Sequence, residues 1–331
     1  MNRAQAKITF IVMIVVILLG VIGFAAFMTF RGDKTTPSSS ITPIFGTLPS
    51  PVSANYENSI KLDYSDFNLE TIEPINKVYQ ADEYNPHFPR QELALKVAEK
   101  LGLKAKTPDT GITLYSHIDK QEYIKLDINS NTITVQLDQA FASSSKYLLK
   151  EDKAVVVAKS KLENLGLWPY TDDYEVSFQY FYIIGMNYYP TDNNKNASLL
   201  EVDFSSVIEK SALKSSDSKS GEISVLINLN DEVTKVFYAY RPVDLSRFGT
   251  YPTITPEEAI SKVTQKKAEL VIPFEGEIPS IITIEKFEIV YRIQYDGQKY
   301  LQPVYLIEGT DNNKQTVTLL VSAVSDEYLT P

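Results

Sequence analysis

Among its 331 residues the chain has no cysteine, so neither a disulfide nor a thiolate-held metal can contribute to its fold. Histidine is nearly absent as well. His87 and His117 stand in separate segments, and neither belongs to a His-Glu-x-x-His helix, which removes the usual basis for zinc hydrolysis or a histidine-dependent triad. A Gly-x-Ser-x-Gly elbow and a phosphate-cradling glycine loop are missing too. Basic residues are outnumbered, 32 against 42 acids, and the net charge of −10 argues against a broad basic surface for nucleic acid or anionic lipid. Glycine is sparse at 13 residues, which together with the Lys/Asn-rich style points to a bacterial chain.

One apolar run interrupts this mixed sequence. Ile8 to Phe30 (ITFIVMIVVILLGVIGFAAFMTF) carries no charge over 23 residues, which as a helix gives roughly 34 Å, enough to cross a bilayer core. Thr9 and Thr29, its hydroxylated residues, can return their hydrogen bonds to the helix backbone. Two other readings compete. A cleaved signal peptide has a shorter apolar region, and here Phe24 and Phe27 flank the small pair Ala25-Ala26. A buried core helix would not need so long a run. Arg3 and Lys7 precede the run without an acid, whereas Arg31 and Lys34 after it are diluted by Asp33. The expectation is a single-pass signal anchor in the cell membrane, with a cytoplasmic N-terminus and an extracytoplasmic remainder. The lipid bilayer is then the partner of residues 8–30.

Residues 31–55 are rich in Ser, Thr and Pro, a composition that buries too little apolar surface to offset backbone ordering, and they read as a stalk. As a flexible chain of about 25 residues it would reach on the order of 25–30 Å.

The rest divides into three look-alike units, 56–149, 150–250 and 251–331, each a helix followed by strand-like text. In the first helix, Pro89–Leu103, the apolar stripe is Ala94, Val97, Ala98 and Leu101, with Gly102 suited to a left-handed cap. The second, Glu151–Leu167, repeats the ending Glu-x-Leu-Gly-Leu and carries Ala154, Ala158, Leu162 and Leu165. The third opens Thr255-Pro256-Glu257-Glu258, an N-cap, a first-turn proline and a capping-box acid.

Strands are expected at Ile112–Ser116, Tyr123–Ile128 and Thr132–Leu137 in the first unit, and at Glu175–Ile184, Leu199–Val207, Ile223–Leu229 and Val233–Tyr240 in the second. In the third they fall at Ile281–Tyr295, Tyr300–Glu308 and Gln315–Val324. Ser211–Gly221 reads as a polar loop. Along Ile281–Tyr295, Phe287, Ile289 and Tyr291 share one face, while Lys286, Glu288 and Arg292 share a wet one. Pro303 marks an edge or a bulge. Helix followed by antiparallel meander is α+β, an N-terminal transmembrane helix plus tandem helix-and-sheet units.

Thr255-Pro-Glu-Glu-Ala-Ile260, the long strand after it, Tyr300–Gly309 and Thr316–Ala323 resemble a PepSY-type helix-plus-sheet module. They also resemble the C-terminal part of single-pass YycH/YycI-type regulators of a cell-wall-sensing kinase. The chain departs from the PepSY pattern at its end, Ser322–Leu329. The resemblance implies a protein-binding or regulatory role outside the membrane, with no catalytic residues, and a partner that is another envelope or membrane protein.

Residues that could carry chemistry read more simply as structure. Asp109-Thr110-Gly111 has the letters of an aspartic protease loop but lacks the apolar strand before it and a second such tripeptide, so it reads as a turn. Acidic turns at Asp172-Asp173, Asp192–Asn194 and Asp311–Asn313 lack calcium-loop spacing. No cofactor and no metal are expected. Tyrosine is abundant at 21 residues and concentrated in Phe178–Pro190, so Tyr180, Tyr182, Tyr188 and Tyr189 form the candidate binding surface. Cross-strand packing is the other use of such rings. The function expected is a membrane-anchored extracytoplasmic binding or regulatory protein without catalysis. The alternatives are an envelope enzyme or glycan-binding protein with an aromatic cleft, and a structural spacer or assembly subunit.

Overall fold

The computed structural model describes residues 42–330 apart from 82–89, 106–111, 117–120, 129, 138–147, 170–172, 186, 192–193, 215–220, 272–277 and 294–297. The apolar run Ile8–Phe30, most of the first half of the expected stalk, Asp109–Gly111, His87 and His117 lie outside these residues. Among the described residues, no helix is long and apolar enough to cross a membrane.

In chain order, β1 (Leu48–Pro49), β2 (Lys61–Asp63) and β3 (Lys77–Gln80) precede α1 (Arg90–Lys100), which is followed by β4 (Lys104–Ala105), β5 (Ile112–Ser116), β6 (Tyr123–Asp127) and β7 (Thr132–Gln136). Then α2 (Glu151–Leu165) leads to β8 (Tyr174–Ile184), β9 (Asn187–Thr191), β10 (Leu199–Ile208), β11 (Ser211–Lys214), β12 (Ile223–Asn228), β13 (Val233–Tyr238) and β14 (Phe248–Thr250). Finally α3 (Pro256–Thr264) opens a run of β15 (Glu269–Val271), β16 (Ile281–Arg292), β17 (Tyr300–Asp311), β18 (Thr316–Ser322) and β19 (Leu329–Thr330). The class is α+β, with three helices among the described residues and mostly antiparallel strands.

The helix ends follow the sequence closely. At α3, the Thr255 hydroxyl accepts from the Glu258 N–H at 3.2 Å, and the Glu258 carboxylate accepts from the Thr255 N–H at 2.8 Å, a complete capping box. At the end of α2, Gly166 takes φ +77, and its N–H returns to the last-turn carbonyls of Leu162 and Glu163. The two similar helix endings meet. Lys100, the last residue of α1, donates from Nζ to the Asn164 carbonyl at 2.9 Å, 64 residues on, and so satisfies an end group of α2 that has no partner within its own helix. Both helices bury narrow, alanine-rich stripes, Ala94, Val97 and Ala98 on one and Ala154, Ala158, Leu162 and Leu165 on the other, which lets them lie close on one sheet.

That sheet is antiparallel throughout, in the order β4-β5-β6-β7-β13-β12-β10-β8-β9. Its register lines up Ile124, Val135, Val236, Val225 and Val202 in a single row across five strands, all fully buried under the helices. Burial of each such side chain contributes roughly 1.5–3 kcal/mol. A second sheet is built on β16 and β17, with β18 and β15 beyond them and β2 and β11 parallel to β16 on its other side. Here α3 covers Ile282, Ile284, Phe287 and Ile289 with Tyr305, Ile307, Leu319 and Val321. A bulge between Ile284 and Lys286 explains why buried positions switch from even to odd numbers along β16. Opposite it stands Gly309, where a Cβ would run into the Thr283 carbonyl oxygen. The β10–β11 hairpin joins the two sheets, since Leu213 of β11 pairs with Tyr291 of β16.

The structure differs from these expectations at five points. The second half of the expected stalk packs onto the body, because Leu48 and Val52 interrupt its polar composition. Both are buried, and β1 pairs in parallel with β19 at the far end of the chain. The three units do not match the sheets: β7 of the first pairs with β13 of the second, while β2 and β3, also assigned to the first, pair with β16, β17 and β14. The loop expected at Ser211–Gly221 begins as β11, since Ala212 and Leu213 are buried.

The wet face of β16 is only half wet, because Val290 and Arg292 are buried there under the 48–55 segment. Pro303 lies in a central strand, where β3 pairing stops at Leu301 and β18 pairing starts at Val304. Its carbonyl accepts from Ala323, so its missing N–H faces the gap between those neighbours.

Candidate functional site

The β8–β9 hairpin turns at Gly185, which takes φ +63, and pairs Ile184 with Asn187, Tyr182 with Tyr189 and Tyr180 with Thr191. The Phe181 carbonyl accepts from the Ser198 N–H at 2.7 Å, on the β10 side, so the backbone groups of Tyr180, Tyr182 and Ile184 face β9. On β9 the outward-facing backbone groups therefore belong to Tyr188 and Pro190. Among the described residues β9 pairs only with β8, and Pro190 withholds a donor along its open edge. A third strand adding to this edge would find a broken ladder, which leaves side chains as the means of recognition.

The structure divides the four candidate tyrosines. Tyr180 faces the helices, and its hydroxyl donates to the Glu151 carboxylate at 2.9 Å; burial and that nearby charge push its phenol up. It packs against the core and is not part of an open surface. Tyr182 and Tyr189 lie on the same side of the hairpin, their rings stacked at 5.7 Å and 24°, and are 36% and 42% exposed. Tyr188 points to the opposite side, edge-on to Phe181 at 5.3 Å. Ile184, at 60% exposure, extends the apolar character to the tip.

Tyr188 also meets a residue of a distant strand. Lys235 on β13 lies 5.9 Å from the Tyr188 ring and donates to its hydroxyl at 3.3 Å. Between β13 and β9 run β12, β10 and β8, so a flat sheet would separate the two strands by about 19 Å, more than these side chains bridge. The sheet therefore curls, carrying the hairpin over the face opposite the helices.

A buried charged knot lies at the other end of this sheet. Glu222 is 2% exposed; one carboxylate oxygen accepts from the Ser206 N–H at 2.7 Å and the other from the Arg241 N–H at 3.4 Å. Arg90, also buried, donates to the carbonyls of Tyr238 and Tyr240 and sits 5.0 Å over the Tyr238 ring. Burial raises the Glu222 carboxyl from 4.5 to about 7, against the lowering pull of those N–H groups and of Arg90.

Because the folded value lies above the unfolded one, the stabilisation from the neutral carboxyl is complete below pH 4.5 and is lost as pH rises through about 7. The loss amounts to about 3 kcal/mol. Glu222→Gln is expected to flatten this part of the stability–pH curve, as read by chemical denaturation across that range. An unchanged slope would mean that Glu222 is not its source.

Among the described residues, no group of three or more histidine or acidic side chains is placed to hold a metal ion. The hairpin offers apolar and aromatic contact area with one cation at its rim.

No known protein family matches the sequence, and no curated protein matches it either. Among solved structures, the chain is similar to an uncharacterised protein from Eubacterium rectale, at 10% identity over 76% of this chain and 84% of that one, with a TM-score of 0.44. It is also similar to the YpeB C-terminal domain of Bacillus megaterium, at 13% identity over 72% of this chain and 93% of that one, with a TM-score of 0.33. At that level of superposition neither likeness carries an argument about this chain.

Proposed function

We propose that the protein is a single-pass, membrane-anchored, extracytoplasmic binding or regulatory module that works through the β8–β9 hairpin and not through a reaction. The observation that carries this reading is the exposure of Tyr182, Ile184, Tyr188 and Tyr189 on one hairpin whose backbone edge is blunted by Pro190. Such rings give contact area at small entropic cost, and the guarded edge disfavours indiscriminate strand addition. The anchor in this proposal is Ile8–Phe30, and the PepSY-like text from Thr255 onward is in keeping with a non-catalytic role.

Incorporating a photo-crosslinking phenylalanine at Tyr189 in the full chain, in native membranes, is expected to yield discrete protein adducts. The same probe at Val156, 67% exposed on α2, should not. Equal adduct patterns from the two positions would overturn the reading. The stacked pair Tyr182–Tyr189 also suits a sugar ring, so a glycan-binding role is the second reading. It would show as protection of the Tyr189 probe by cell-wall fragments, without a protein adduct.

A further inference from the structure

Among the described elements the chain passes between the two sheets four times, from β3 to α1, from β10 to β11, from β11 to β12 and from β13 to β14. On the nine-stranded side all four passages meet at one side chain. Glu222 immediately precedes β12, and its carboxylate accepts from the N–H of Ser206 near the end of β10 at 2.7 Å and from the N–H of Arg241 just beyond β13 at 3.4 Å. Its backbone carbonyl accepts from the Ala239 N–H at 2.7 Å. Arg90, the first residue of α1, donates to the carbonyls of Tyr238 and Tyr240, and its charge acts on Glu222 from there.

The titratable and charged groups around this carboxyl come from each neighbouring element. They are Arg90 of α1, Tyr238 and Tyr240 at the end of β13, and Arg241, which sends its guanidinium to the Ser130 carbonyl at 3.2 Å. On β10, Asp203 accepts from the adjacent Gly221 N–H at 3.5 Å and from the Ser224 hydroxyl. An ionised Glu222 has exchanged water for two backbone N–H groups, one of them distant, and burial outweighs them, raising the carboxyl from 4.5 to about 7. Letting water in relieves the ionised form and gains little for the neutral one. Such an opening leaves both sheets folded, because the core under α1 and α2 and the core under α3 share no residue.

We infer that Glu222 is a proton-operated pivot: with its carboxyl neutral the four passages are gathered into a closed knot, and with the proton gone the knot admits water and the two sheets turn relative to each other. The sign follows from burial. Since the closed knot favours the neutral acid, closure is complete below 4.5 and is lost as pH rises through about 7. The β8–β9 hairpin rides on one sheet and α3 on the other, so the turn changes where the hairpin points, whatever it binds.

The absence of cysteine lets spin labels be placed in chosen pairs. In the full chain, Val156→Cys on α2, 67% exposed, with Ile281→Cys on β16, 40% exposed, spans the two sheets, whereas Val156→Cys with Leu95→Cys on α1 stays on one. From about pH 5.5 to about pH 8.5 the spanning pair is expected to pass from one narrow distance distribution to a broad one, while the pair on one sheet does not change. Glu222→Gln should hold the narrow distribution at both. An unchanged spanning pair overturns the inference, and so does a broadening that persists in Glu222→Gln. Equal broadening of the 156–95 pair also overturns it, by showing that the sheet itself loosens. Should Glu222→Gln not fold, amide protection of Ser206 and Arg241 in the unsubstituted chain decides. A fall of about 30-fold over that range, the ratio for a carboxyl going from about 7 to 4.5 on opening, supports the pivot, and constant protection overturns it.

Discussion

Replacing Leu48 and Val52 together by alanine is expected to destabilise the protein by about 4–6 kcal/mol, combining two buried side chains with the cavities they leave. Residues 31–55 read as a stalk would predict no effect at all. Leu48 is fully buried against Val78, Tyr251 and Val324, while Val52 closes a separate cluster of Val290, Val304, Leu306 and Leu320 on the second face of β16–β18. Because the two clusters share no residue, the two losses should come close to adding.

The segment is also fixed by polar contacts. The Asn55 side chain exchanges two 2.7 Å hydrogen bonds with the Leu270 backbone, and Gln302 donates to the Pro49 carbonyl at 2.7 Å. Against a total stability of about 5–15 kcal/mol for a typical domain, the double variant should populate unfolded or aggregated protein measurably. Denaturant midpoints compared with those of Ile44→Ala, an exposed neighbour expected within about 0.5 kcal/mol of the parent, would decide it.

Glu269→Ala should cost about 3–5 kcal/mol, more than any surface ion pair in the molecule could. Nη1 and Nη2 of Arg292 each contact one oxygen of the Glu269 carboxylate at 2.7 Å in a two-pronged pair, with side-chain exposures of 6% and 17%. The same guanidinium donates to the Pro51 carbonyl at 2.7 Å, and the same carboxylate accepts from the Ser53 N–H at 2.9 Å. Removing the acid strands a buried cation and loosens the 48–55 segment at once.

Two checks separate this from a generic loss. Pairing Glu269→Leu with Arg292→Met should recover much of the stability, since a well-packed apolar pair needs no compensation for lost hydration. The single variant's deficit should change little between low and moderate salt, because a buried pair is weakly screened. A deficit below about 1 kcal/mol would show that the pair only decorates the interface.

These two sites lie where the sequence said least. The helices were legible because each carries its own instructions, the Thr255–Glu258 box and the Gly166 cap among them, with stripes recurring every third or fourth residue. The long central strands were legible from their alternation and β-branched content. Pairing was not, because β7 with β13 and β2 with β16 join residues about 100 and more than 200 positions apart, and the short strands β1, β2 and β3 carry too few residues to show a period.

Arg292 looked exposed because alternation along β16 reports which residues share a face, not what covers that face. Of the candidate surface, the strand to Ile184 and the tyrosine-rich stretch Phe178–Pro190 are legible in the sequence, but not the second strand Asn187–Thr191 nor the division of the rings between two faces. Nor could it place Lys235, whose approach to Tyr188 depends on the accumulated curl of a wide sheet.

The parallel pairing of Leu48 with Leu329 brings the first and last strands of the body to the same spot. An epitope inserted after Thr330 would therefore emerge beside Pro49, at the pole where β1 and β19 meet. An epitope inserted at the β8–β9 turn would give a more accessible readout of sidedness, and comparing the two tags on intact cells would map which pole of the body is hidden.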